Sequence, residues 1–279
     1  MPSIGKYNNL KILKELDFGV YLDGADLGEI LLPKRYVPQG SKTGDEVEVF
    51  LYFDSEDRII ATTERPFAAV GEFALLRVKS VDSFGAFLDW GLTKDLLVPF
   101  REQKVTMVEG RSYIVYVFFD RSSNRIAASA KLGQFLDRIP PEYEIGQQVD
   151  ILIWQATEMG YKAIINHFHY GMLYSNEIFQ KLNVGQSMKG YIKKIREDNK
   201  IDLSLFPPGY ARVSENTDKI LEYLTQQGGY AAITDKTPPE TIYNLFGISK
   251  KTYKNAIGGL YKQGLIVLEK DGIRLTKRD

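Results

Sequence analysis

The chain has 279 residues, with 36 basic and 36 acidic side chains, two histidines and no cysteine. The missing cysteine excludes disulfides, thiolate metal sites and a cysteine nucleophile, and the cancelled charge excludes a whole-molecule electrostatic grip on nucleic acid, so any such grip is local. Hydrophobic residues at 44% and charged ones at 26% predict folded modules along most of the length; no basic start precedes an apolar run and no apolar stretch reaches about 18 residues, which predicts a cytoplasmic chain.

From the N-terminus onward the sequence repeats itself. Phe18-Gly19 recurs as Phe84-Gly85, Pro33 as Pro99, Gly44 as Gly110 and Asp54 as Asp120, always 66 positions apart. From the second unit to a third the offset becomes 75, taking Gly85 to Gly160, Gly110 to Gly185, Ile126 to Ile201 and Ser129 to Ser204. A constant offset means one duplicated unit. In the second copy, β-branched and aromatic residues between Gly, Asp and Asn turns predict strands over Leu75–Val81, Gly85–Asp89, Leu96–Pro99, Ser112–Phe119 and Arg125–Ser129. Five strands in about seventy residues, with the longest connection between the third and fourth, suit an OB-type Greek-key barrel. Pro66, Pro140-Pro141 and Pro207-Pro208-Gly209 each follow a unit's last strand and mark the boundaries of domains 1–66, 67–139 and 140–210.

Beyond Gly209 the pattern turns helical. Ser214 is read as the cap of a helix carrying Ile220, Leu221 and Leu224 and ending at Gly228-Gly229. A second helix starts at Thr237-Pro238 and stops at Gly247. Ser249 caps a third, whose Tyr253, Ala256, Ile257 and Leu260 form a buried stripe. Leu265–Leu268 and Ile273–Leu275, joined through Asp271-Gly272, predict a hairpin. The fold class expected is therefore mainly β, three tandem five-stranded OB-fold barrels followed by an α+β winged helix over 211–279.

The second unit's Ser83-Phe84-Gly85-Ala86-Phe87-Leu88-Asp89, Leu96-Leu97-Val98, Asp120 and Arg125-Ile126-Ala127-Ala128-Ser129 resemble the ribosomal protein S1 type of RNA-binding domain. Leu31–Pro38, Lys189–Asp198 and Ala256–Gln263 resemble more narrowly the bacterial conserved virulence factor B family. The resemblance implies three such domains plus a winged helix in an RNA-binding regulator of gene expression, acting on single-stranded RNA such as mRNA or at the ribosome. The related domains usually carry a histidine at the end of the third strand; here Pro33 and Pro99 stand in the first two units and Tyr174 in the third, whose Phe-Gly element reads Met159-Gly160-Tyr161-Lys162.

Two sets of residues are candidates for holding RNA. Phe18 with Tyr21, and Phe84 with Phe87, bracket the repeated glycine and could form base-stacking platforms; alternatively they cover the barrel or pack between domains. Strand alternation puts Glu48, Phe50 and Tyr52 outward in the first unit, Ile114, Tyr116 and Phe118 in the second, and Lys189, Tyr191 and Lys193 in the third. The first two faces are apolar and suit domain contact; the third, with Lys194, Arg196 and Lys200 following, suits phosphates beside a ring. Its other reading is a lysine-rich edge that discourages sheet pairing. On the third helix Lys251, Lys254 and Lys262 surround Gly258, and a close-approaching backbone, of protein or RNA, would account for a glycine pair there.

His167 and His169 lie two apart, which in one strand puts both on one side, but no third ligand accompanies them. Neither a phosphate loop nor a nucleophile elbow nor a helical His-Glu-x-x-His is present. The expected protein is a non-enzymatic RNA binder without cofactor or metal. A winged-helix DNA-binding transcription regulator and a protein-interaction scaffold are the alternatives.

Overall fold

The repeated glycine fixes the first turn of every module. In the computed structural model, which describes residues 1–178, 181–207, 211–262 and 264–276, Gly19, Gly85 and Gly160 have φ of +155°, +154° and +140°. A Cβ on them would stand 2.3, 2.2 and 2.0 Å from the carbonyl oxygens of Leu32, Val98 and Leu173. Only glycine tolerates both the dihedral and the approach. Each opens the second strand of its module and faces the end of the third, Gly19 opposite Pro33, Gly85 opposite Pro99 and Gly160 opposite Tyr174.

The first module comprises β1 Tyr7–Leu16, β2 Gly19–Asp23, β3 Glu29–Pro33, β4 Glu46–Phe53 and β5 Ile59–Thr62. They close in the order β1-β2-β3-β5-β4, the connectivity expected of an OB-type barrel. Inward Leu10, Ile12, Leu22, Ile30, Val49 and Leu51 fill it. The second module follows with β6 Phe73–Val81, β7 Gly85–Asp89, β8 Leu96–Pro99, β9 Ser112–Asp120 and β10 Arg125–Ser129, and the third with β11 Gln148–Thr157, β12 Gly160–Ile165, β13 His169–Tyr174, β14 Ser187–Ile195 and β15 Ile201–Ser204. The third is again a closed barrel.

The second module departs from the expected closure. Its sheet runs β10-β9-β6-β7-β8, the same cyclic order cut between its third and fifth strands. That seam is a parallel contact of one residue pair in the first module, Leu31 with Ile60, and of two in the third, Gly171 with Ile201 and Met172 with Asp202. β8 and β10 remain adjacent across this seam, so the second module differs from its neighbours by the loss of one or two bridging pairs and not by a wide gap.

Neighbouring modules share cores. Phe50 and Tyr52, on the outer face of β4, are buried with Trp90, Leu88 and Val115 of the second module. Phe73 and Ile114 of the second module are buried with Leu132 and Leu136 of the linker and Leu152 and Ile164 of the third. The apolar outer faces therefore serve contact between modules, as their composition predicts. Polar staples fix the geometry. Asp57 receives both Lys94 (2.9 Å) and Arg125 from the second module, and the Phe73 N–H donates to Nδ1 of His167 (3.0 Å), whose ring stacks on Phe73.

The last part comprises α1 Ala211–Gln226, β16 Tyr230–Ala231, α2 Pro239–Phe246, α3 Lys250–Lys262, β17 Ile266–Leu268 and β18 Ile273–Leu275, with sheet order β16-β18-β17. Because α1 begins at Ala211, Ser214 sits within its first turn and not at its cap; the linker residues Pro208 and Gly209 lie outside the described residues. Gly247 ends α2 in the left-handed region at φ +68°, and Ser249 caps α3 by accepting from the Thr252 N–H (3.2 Å). Tyr253, Ala256, Ile257 and Leu260 are buried as the stripe predicts. Gly258 has no close neighbour: a Cβ there would meet nothing within 4 Å. No part of the described chain thus accounts for this glycine.

Two outcomes follow from these packings. His167 accepts a hydrogen bond and so must be neutral; its half-burial pushes its pKa below the usual 6.5, against the opposing pull of Glu72 and Asp150 and with a small push from Lys6. A depressed pKa means the unfolded chain binds the proton better, so this contribution is complete above pH 6.5 and fades as pH falls through the lowered value. Melting temperatures from pH 7.5 to 5 should drop more for the native protein than for His167→Asn; parallel curves would contradict the assignment. Gly258→Ala should raise the urea unfolding free energy of the winged helix by up to about 1 kcal/mol, since it removes backbone entropy at an open helical site. A loss of stability would show a packed neighbour instead.

Candidate nucleic-acid interface

The seam between third and fifth strands carries a cavity in both the second and the third module, and the offset of 75 superposes their linings. Phe84 corresponds to Met159, Phe87 to Lys162, Pro99 to Tyr174 and Arg125 to Lys200, each facing its cavity. The chemistry of the two differs.

In the third module the cavity measures about 680 Å³ and is walled by β13, β15 and the linker at Pro140-Pro141. Lys162 lies 5.6 Å from the centroid of the Tyr170 ring and 5.8 Å from that of Trp154, and those two rings meet edge-to-face at 5.7 Å. Arg138 enters from the linker, its guanidinium 5.4 Å from the Phe135 ring and its Nε donating to the Gln134 carbonyl (2.9 Å). Among the described residues neither Lys162 nor Arg138 has a carboxylate partner. The predicted Tyr174, Arg196 and Lys200 line the same cavity. Arg196 is paired with Asp202 (2.9 Å) and donates to the Tyr174 hydroxyl; Lys200 is paired with Asp198 (2.6 Å). Asp137 also faces the cavity, where burial pushes its carboxyl pKa up while the Tyr170 N–H donated to it opposes the rise.

The structure separates the remaining predicted cations from this groove. Lys189, Tyr191, Lys193 and Lys194 lie on β14, which pairs with β11 on one side and β15 on the other, and none of them lines the cavity. Lys189 is paired with Asp150 (2.6 Å), Lys193 with Glu177, and the Tyr191 hydroxyl accepts from Gln148 (3.0 Å). Lys194 stays exposed with no ion pair among the described residues. A β-bulge between Ile192 and Lys194 breaks the alternation, so Lys193 and Lys194 both point to solvent. On α3, Lys251, Lys254 and Lys262 are exposed; Lys254 is 3.3 Å from Asp235, whereas Lys251 and Lys262 have no ion pair among the described residues.

The aromatic candidates divide similarly. Phe18 is 54% exposed and touches Tyr21 edge-to-face at 6.3 Å, with Lys14 over the Tyr21 ring. Phe84 is 70% exposed and, with half-buried Phe87, forms the wall of the second module's cavity. Sequence reasoning missed Lys162, Arg138, Tyr170 and Trp154; the offset of 75 that maps Phe87 onto Lys162 was the available signal for the first of these.

The two histidines do not act together. His167 belongs to the joint with the second module, while His169 is buried, one ring nitrogen bonded to the Tyr143 hydroxyl (2.9 Å) and the other to the Ile139 carbonyl (2.8 Å). No group of three or more His, Asp or Glu side chains among the described residues could hold a metal ion, and no described helix is long and apolar enough to cross a membrane.

Comparison with known proteins agrees with this architecture. Residues 4–64 match the S1 domain model, and residues 218–275 match a CvfB-like winged helix domain. A Bacillus subtilis protein, YitL, is 27% identical over 95% of this chain and 91% of its own length. Conserved virulence factor B of Staphylococcus saprophyticus is 24% identical over 84% of this chain and 81% of its own length, and the Staphylococcus aureus protein of that name is 24% identical over 85% and 81%. A crystal structure of a multidomain protein with nucleic acid binding domains from Streptococcus pneumoniae aligns over 98% of both chains at 24% identity and a TM-score of 0.42. These matches place nucleic-acid-binding domain types at both ends of the chain, neither of them an enzyme family. Relatives named conserved virulence factor B are similar to this chain over most of its length, and its C-terminal part matches the winged helix domain model described as CvfB-like.

Proposed function

We propose that this protein is a non-enzymatic, cytoplasmic binder of single-stranded RNA whose principal groove is the third-strand seam of the third module, assisted by α3 of the winged helix. The observation that carries the reading is the pairing, in one cavity, of two cations free of carboxylates, Lys162 and Arg138, with the rings of Tyr170 and Tyr174. A strand of unstacked bases needs both: cations that track phosphates and rings that accept bases of any identity. Lys251 and Lys262 extend the positive surface on the winged helix, and Lys194 does so on the barrel. We read the second module as an OB-type barrel that lacks the bridging pairs at its seam, so that four domains, 1–66, 67–139, 140–210 and 211–279, make up the chain. Regulation of gene expression, through mRNA or the ribosome, is the role that suits such a binder.

Fragments cut at residue 139 are a poor test, because Leu152 and Ile164 of the third module are buried against the second and would be stripped of cover. Full-length variants avoid this. Single-stranded RNA should bind more tightly than duplex DNA of equal length at matched salt; the reverse would transfer the function to a winged-helix DNA binder. Lys162→Ala and Arg138→Ala should each weaken RNA binding and flatten its salt dependence by about 0.7 in the log–log slope. Tyr170→Ala should weaken binding by roughly 1 to 3 kcal/mol of lost stacking with the slope unchanged. RNA affinity unaltered in all three would remove the groove from the interface.

A further inference from the structure

Three carboxylates line the groove of the third module, and two of them are neutralised. Asp198 is paired with Lys200 (2.6 Å) and Asp202 with Arg196 (2.9 Å). Asp137 has no cation partner among the described residues, although Arg138 follows it directly, because the Arg138 Nε donates to the Gln134 carbonyl instead. An unneutralised carboxylate repels phosphates. In a groove that binds a polyanion it lowers affinity, unless another part of the ligand makes use of it.

The backbone fixes where this carboxylate stands. Asp137 adopts φ +55°, in the left-handed region that Asp tolerates better than most residues. Its N–H donates to the Phe168 carbonyl (2.9 Å), and its Oδ1 accepts from the Tyr170 N–H (3.3 Å). The linker is thereby tied to the start of β13, and the carboxylate stands beside the residue whose ring the groove offers for stacking. One long hydrogen bond leaves most of its acceptor capacity unused, since an ionised carboxylate has about four lone-pair sites.

A base stacked on a ring still presents its Watson–Crick edge for hydrogen bonding. The four bases differ in what that edge donates. Guanine offers two adjacent donors, N1–H and N2–H, which match the two oxygens of one carboxylate. Adenine and cytosine each offer a single amino group. Uracil offers one imino N–H between two carbonyl oxygens, and those oxygens are repelled by the carboxylate. We infer, building on the RNA reading above, that Asp137 is the specificity-determining residue of the third module's groove and selects guanine by accepting from its N1–H and N2–H groups. The charge that a phosphate avoids then serves a base, and the groove gains one selective contact among cations and rings that are indifferent to sequence.

The test is titration of the full chain with three RNAs: a uridine octamer, the same octamer with one central guanosine, and one with inosine there, which keeps N1–H but lacks the 2-amino group. The guanosine RNA should bind about tenfold more tightly than the all-uridine RNA, as one bidentate base contact allows, with the inosine RNA between them. Asp137→Asn keeps the side-chain shape and an oxygen for the Tyr170 N–H, so the fold is undisturbed. It should bring the three RNAs within about twofold of one another. Lys162→Ala should weaken all three alike and leave their ratios intact. Overall affinity therefore reports on the groove and the ratios report on Asp137, so failure of the RNA reading and failure of this inference are told apart. Equal binding of the guanosine and uridine RNAs by the native protein, or a guanosine preference that survives Asp137→Asn, would overturn the inference. A uniform gain in affinity for all three RNAs on Asp137→Asn would do the same, because it would make Asp137 a plain source of phosphate repulsion.

Discussion

A strand with apolar side chains on both faces must bury both. In β4 the inward residues fill the first barrel, and the outward Phe50 and Tyr52 have no solvent-compatible position except the core of the next module. The same holds for Ile114 on β9 and the third module. Burying a large apolar side chain is worth about 1.5 to 3 kcal/mol, so a few such rings outweigh the exposed ion pairs at the joints, which contribute roughly 0 to 1 kcal/mol each. The hydrophobic contact holds the modules together, and Asp57 and His167 set the angle at which they meet.

With the outer faces committed to packing, the seams between third and fifth strands become the places where a ligand can reach the barrels. The duplicated unit supplies the same opening twice and fills it differently. Phenylalanines and neutralised cations line the second module's cavity; Lys162, Arg138 and two tyrosines line the third's. Divergence at four corresponding positions changes the chemistry of the lining, while the glycine opposite the third strand's end keeps the same backbone frame in each module.

Much of this could be read in the residues. The constant offsets located the modules, and β7, β8 and β10 fall where alternation and turn residues put them, since period-two burial is a local property. What could not be read depends on partners distant in sequence. Lys193 and Glu177 are sixteen residues apart and Lys189 and Asp150 thirty-nine, so a basic strand in sequence is a largely neutralised one in space. The bulge in β14 also shifts the alternation by one, and no residue type announces it. The missing closure of the second sheet turns on one or two bridging pairs, too few to leave a pattern. Lys162 stands where the second module has Phe87, and that substitution adds one of the cations that line the third module's cavity.

The central claim is that RNA runs through the third module's seam and not over the phenylalanines of the second. Ultraviolet cross-linking of the full-length protein to single-stranded RNA, with the adducts mapped by mass spectrometry, tests it most directly. The account predicts adducts at Tyr170, Tyr174 and Trp154, all beside Lys162 or Arg196. Adducts concentrated at Phe84, Phe87 and Phe100, with the third module unmarked, would contradict it.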